Sequence, residues 1–237
     1  MKHRKALLFA VVGLAFVVGL VGQAAAQDQK PTVKIPDPGV PQIMTMEGQF
    51  VRAAYNNEGY VILGYKIANM NIGNEYLMLE IGATVRDGVK NYTLLREHVS
   101  METPDGKTVP LASVEEYRAG NVRNLEMQAN TVRDSINYFP PSATRACRIG
   151  FFAPLGGPAM PYDQVELSNT RACLGRVFFK VPGGVTYGQH WLNVKFQGSV
   201  IRVPFKILTK DEEKFLSKNY KDISKQVKEA FAPPKKK

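Results

Sequence analysis

Residue types that carry most enzyme chemistry are scarce in this 237-residue chain, which has two cysteines, three histidines and one tryptophan. His3 lies in the charged N-terminus, so only His98 and His190 remain for the body. Neither stands in a metal-ligand spacing such as His-x-x-x-His, and no Cys-x-x-Cys pair accompanies them. A Gly-x-Ser-x-Gly elbow, a Walker loop and a dinucleotide fingerprint are also missing. His98 alternates with Val99 and Met101 and is expected on the polar face of its strand. His190 shares parity with Leu192 and Val194 and is expected inward, so both read as structural. No catalytic residue, metal ligand or cofactor is expected.

Long apolar runs are equally few. One stretch, from Ala6 to about Val21, follows Lys2, Arg4 and Lys5 and precedes Ala24-Ala25-Ala26. A charged head, an apolar middle and a small-residue end predict a secretory signal cleaved near Ala26. The 17 residues from Ala6 to Gly22 also sit at the lower edge of spanning length, so a retained anchor is the competing reading. Export predicts a periplasmic or secreted protein. Loss of the 26-residue signal removes three basic and no acidic side chains, taking the formal charge from +10 to +7 over the remaining 211 residues. Such a balance favours anionic partners. Beyond Lys235-Lys236-Lys237 the basic residues are scattered, so the charge reads mainly as solubility and nucleic acid is not the expected partner.

An even cysteine count in an exported chain predicts a Cys147–Cys173 disulfide. The two surroundings nearly repeat, Thr144-Arg145-Ala146-Cys147 against Thr170-Arg171-Ala172-Cys173. A bridge closing a loop of about 27 residues adds on the order of 3 kcal/mol. Two buried thiols or a redox pair are the alternatives, and the wide spacing speaks against the redox pair.

Residues 27–45, with Pro31, Pro36, Pro38 and Pro41, read as an extended leader. The body from 46 to 208 is rich in period-two segments. Leu77, Leu79, Ile81, Ala83 and Val85 share one face of a half-buried strand, opposite Glu80 and Thr84. A Pro104-Asp105-Gly106 turn would place Thr103 opposite Lys107, Met101 opposite Val109 and Val99 opposite Leu111. A two-residue Gly198-Ser199 turn would pair Phe196 with Ile201, Val194 with Val203 and Leu192 with Phe205. With further candidates at 49–55, 145–152 and 175–181, about eight or nine strands form two sheets. Ser113 with Glu116 opens a helical insertion at 113–134, broken near Gly120. Thr209 with Glu212 opens an amphipathic C-terminal helix at 209–232, with a basic tail at 233–237.

From Gly64 to Leu111 the order of strands and polar links, the Asp105-Gly106-Lys107 turn and the later Phe179-Lys180-Val181-Pro182 resemble the telokin-like, immunoglobulin-type domains of bacterial exported proteins of unassigned role. The likeness covers about half of the mature chain. It implies an immunoglobulin-like antiparallel β-sandwich and carries over no catalytic residue. The helical insertion and terminal helix depart from that pattern.

The expected role is therefore a non-catalytic binding or assembly module whose partner is a protein or glycan of the cell envelope. Candidate contacts are Leu155 and Met160, in the apolar stretch 149–161, and Trp191, expected half-exposed beside Asn193 and Lys195. Two alternatives stand beside it. One is a hydrolase whose carboxylates converge from distant strands. The other is an accessory protein that grips anionic membrane through the lysines of its terminal helix.

Overall fold

The computed structural model describes residues 42 to 232; the expected signal with its cleavage point, all but the last residues of the leader, and the basic tail lie outside the described residues. In chain order the first elements are β1 (Ile43–Gly48), β2 (Val51–Tyr55), β3 (Gly59–Gly64), α1 (Lys66–Met70), β4 (Tyr76–Val85), β5 (Tyr92–Leu95), β6 (Val99–Glu102) and β7 (Thr108–Pro110). Next come α2 (Val114–Ala119), α3 (Arg123–Thr131), β8 (Arg145–Arg148), β9 (Gln164–Leu167) and β10 (Arg171–Lys180). The chain closes with β11 (Gly188–Lys195), β12 (Val200–Ile207) and α4 (Lys210–Ala230). The protein is mainly β, with a C-terminal helix. The first strand opens at Ile43, ahead of the expected start at Met46, and Lys66–Met70 forms a short helix.

Two larger sheets share one apolar core. Their strand orders are β1-β2-β3-β4-β10-β8 and β12-β11-β6-β7, with a separate ribbon of β5 and β9. The alternating side chains of β4, from Leu77 to Val85, meet Met101, Leu192, Val203 and Phe205 of the smaller sheet in one cluster. Each such side chain contributes roughly 1.5–3 kcal/mol when fully buried. Pairing is antiparallel except at one edge, where β8 lies parallel to β10.

The 103–107 hairpin has the expected register. Met101 faces Val109, the Thr103 N–H donates to the Lys107 carbonyl at 2.9 Å, and Gly106 supplies the positive φ of 80°. The expected Val99–Leu111 pair falls beyond this ladder, which ends at Ser100 and Pro110. The second hairpin is displaced by two residues, so Val194 faces Ile201 and Leu192 faces Val203. A four-residue loop, Phe196 to Ser199, replaces the two-residue turn, and the Phe196 N–H donates to the Ser199 carbonyl at 2.7 Å. Glu58, in the turn between β2 and β3, fixes that loop by accepting from the Gly198 N–H at 2.9 Å and from the Ser199 hydroxyl. The Phe196 ring occupies the space over Gly59, where an added Cβ would lie 2.2 Å from the ring. A two-residue slip keeps every side chain on its expected face, which is why alternation alone does not detect it.

The larger difference concerns β4. Its expected polar face is covered too, with Thr84 fully buried and Glu80 8% exposed. Residues 132 to 144 run without helix or strand across the outer face of the six-stranded sheet as a strap. From it Ile136, Tyr138 and Phe139 pack against Val51, Ala53 and Ile62. Gly64 and Gly82 provide the room, because a Cβ on either would come within 2.8 Å of Ile136 or Phe139. Beside the strap, Tyr117 of α2 packs on Phe178 of β10, ring centroids 4.8 Å apart.

Both expected capping boxes are formed, Ser113 with Glu116 and Thr209 with Glu212. The insertion breaks at Gly120, whose Cα approaches the Tyr76 ring so closely that a Cβ would lie 2.5 Å from it. Helix α4 turns Leu216 and Val227 into the core, with Phe231 just beyond its end, and Tyr220 donates to the Met46 carbonyl of β1 at 3.1 Å. Among the described residues no helix is long and apolar enough to cross a membrane.

Candidate functional site

The alternation of β10 sends Cys173, Val177 and Phe179 into the core and Leu174, Arg176 and Phe178 to the outer face. There, between the strap, α3 and the β8 edge, opens a groove of about 610 Å³. Charged side chains from five separate parts of the chain line it: Glu80 of β4, Glu126 of α3, Arg133 and Asp134 of the strap, Arg148 of β8 and Arg176 of β10.

The acidic members already have partners. Glu80 lies 3.6 Å from the Arg176 guanidinium, and Asp134 lies 3.5 Å from Lys66. Glu126 accepts from the Tyr117 hydroxyl, and the Leu155 N–H faces its other oxygen at 3.5 Å. Burial pushes the Glu80 carboxyl above its ordinary pKa, against the pull of Arg176 and Arg133. Burial, then the bond to Glu126, also raises the Tyr117 phenol. Arg176 donates further to Asn130 at 2.8 Å. Arg133 and Arg148, both exposed, take part in no ion pair or hydrogen bond among the described residues. The groove therefore presents two uncommitted guanidiniums, groups suited to carboxylate or phosphate oxygens.

The expected disulfide forms. Cys147 and Cys173 face each other across the parallel β8–β10 pair, with Cα atoms 4.1 Å apart. Such a bridge fits an oxidising, extracytoplasmic setting. The near-repeat seen in the sequence has a structural meaning: Arg145 faces Arg171, Ala146 faces Ala172 and Cys147 faces Cys173. Arg145 and Ile149 donate their N–H groups to Thr170 and Leu174, both at 2.8 Å. By the strand's alternation, the N–H groups of Ala146 and Arg148 point away from the sheet, and neither has a partner among the described residues. All of β8 is exposed except Cys147, which is half-buried.

The residues singled out from sequence distribute differently. Trp191 does lie on the outer face of β11, yet it is only 8% exposed, which corrects the half-exposed expectation. Pro204 sits opposite it, and the Arg202 guanidinium, held by Glu102 at 2.7 Å, lies 5.1 Å from the ring. Leu155 packs partly on the core with its N–H 3.5 Å from Glu126, whereas Met160 is 70% exposed. The start of their loop is fixed by Arg96, which donates to the Phe151 and Ala112 carbonyls and covers the Phe152 ring at 4.3 Å. His98 accepts from the Leu95 N–H at 3.3 Å and pairs with the Tyr92 hydroxyl at 2.7 Å. His190 is fully buried, with Nδ1 3.1 Å from the Gly188 carbonyl and Nε2 without a partner among the described residues. Among the described residues no three His, Cys, Asp or Glu side chains are placed to hold a metal ion. A second cleft of about 600 Å³ lies near Gly183 and Gly184, where Lys180 bridges Glu75 and Glu116.

Sequence reasoning missed the groove because its charges come from positions 80, 126, 133, 134, 148 and 176. The usable signal was the repeated Thr-Arg-Ala-Cys segment, which marks the two strands of its floor. No family model matches the chain, and no curated protein or solved structure is significantly similar to it.

Proposed function

We propose that this is a non-catalytic binding module of the extracytoplasmic space, an immunoglobulin-like sandwich that engages an envelope partner at the groove between the strap and β8. One observation carries the reading: the groove's carboxylates are satisfied internally, while Arg133 and Arg148 have no partner among the described residues. A photo-crosslinking residue at Ser135 or Asn137, both exposed on the groove wall, is expected to capture a partner from envelope extract under non-reducing conditions. Capture should be lost in the R133E/R148E variant and should not occur from Lys195, on the far sheet. Equal capture from Ser135 and Lys195, or indifference to the charge reversals, would contradict the proposal.

A hydrolase reading draws support from the same groove, because three carboxylates line it and burial raises the Glu80 pKa. Their internal pairing weighs against it, since a general acid or base needs a carboxyl free to reach substrate. E80Q distinguishes the two, as partner capture should survive it and turnover of a substrate should not. Docking of α4 weighs against a membrane-bound role, because Leu216 and Val227 already face the core and only Phe215 is a large exposed apolar residue on that helix.

A further inference from the structure

We infer that the edge of β8 and the Arg133 and Arg148 side chains beside it, all without a partner among the described residues, take an acidic peptide segment in extended form as a further strand of the six-stranded sheet. The inference rests on the groove being the binding site and names the chemistry of its occupant.

Two independent features point to the same occupant. The first is the backbone. The N–H and carbonyl of Ala146 and the N–H of Arg148 form a short open ladder, which a peptide completes and a sugar chain or a lone anion does not. The second is charge. Arg148 flanks that ladder on the groove side, Arg133 faces it from the strap, and exposed Arg145 lies on the opposite face of β8. A strand laid along β8 directs alternate side chains to the two faces, so carboxylates at every second position meet Arg133 and Arg148 together on the groove face. Basic residues also deter pairing between two copies of this edge, which favours a partner of opposite sign. The disulfide holds β8 in place at Cys147, midway along the ladder.

The test uses the disulfide-bonded protein and a fluorescent peptide of alternating Glu and Val, long enough for a strand of about six residues. Three comparison probes accompany it: the same peptide N-methylated at alternate residues, its Lys-Val counterpart, and an oligouronate of similar charge. Binding of the Glu-Val peptide alone is expected. The R133E/R148E variant should weaken it by about a hundredfold, two charge-assisted contacts being lost. A146P removes an N–H that no internal bond uses, at an edge where proline is tolerated, and should weaken binding by about tenfold. Circular dichroism of A146P checks the fold, and the N-methylated peptide tests the ladder without any mutation. Equal binding of the N-methylated peptide would overturn the inference, as would oligouronate binding that A146P leaves intact. Either result, with groove crosslinking retained, would leave the binding-module reading standing; loss of groove crosslinking as well would remove both.

Discussion

The two sheets end in edges that are treated in opposite ways. At β12, the Gln42 side-chain amide donates to the Arg202 carbonyl at 2.7 Å and accepts its N–H at 3.1 Å, as a neighbouring strand would. Two residues on, Pro204 has no N–H to offer. At β8 the backbone groups of Ala146 and Arg148 have no partner among the described residues, and arginines stand around them. At β12 the chain itself caps Arg202 and removes a donor at Pro204, whereas β8 has only its arginines to turn away like-charged edges. An open edge next to uncommitted charge is a place for something else to bind, and an internally capped one is not.

Breaking the disulfide should disturb this contrast most. The C147S/C173S variant is expected to lose about 3 kcal/mol in urea unfolding, with β8 fraying and β12 unaffected. Next comes G82A, whose new methyl would meet the Phe139 ring at 2.8 Å. Moving the strap should cost roughly 1–3 kcal/mol and weaken partner binding, because Arg133 travels with it. Q42A should cost about 1 kcal/mol and speed amide exchange at Arg202 while leaving Ala146 and Arg148 unchanged. The smallest effect is a pH dependence on the β12 side. Burial holds the His190 imidazole below its ordinary value of 6.5, so the unfolded chain binds a proton that the folded one resists. Its stabilising effect is complete above pH 6.5 and is lost as pH falls below that value. Glu80, whose pKa is raised, slopes the other way as it protonates. The difference in urea midpoint between wild type and H190Q isolates the histidine, and a difference that did not change with pH would refute its burial in the neutral form.

Local rules made much of the fold legible. Capping boxes located α2 and α4, turn chemistry gave the 103–107 register, and parity placed His190 inward and Trp191 outward. Cysteine count and near-repeat together indicated the bridge, though not the parallel pairing that the repeat encodes. What alternation reports is one face at a time. It could not show that Glu80 and Thr84 lie beneath a strap without regular structure, because the covering residues are some 50 positions away and carry no period. For the same reason alternation predicts a half-exposed Trp191: the Arg202–Glu102 pair that covers it depends on tertiary contact between strands far apart in sequence. The groove is the extreme case, assembled from charges that share no segment.

Amide exchange resolved to single residues tests the central claim most directly. In the free protein the Ala146 and Arg148 amides should exchange rapidly while Arg202 is protected, and addition of the Glu-Val peptide should protect Ala146 and Arg148 without changing Arg202. Protection of Ala146 and Arg148 before any peptide is added, or no change on saturation, would contradict the assignment of this edge as the docking site.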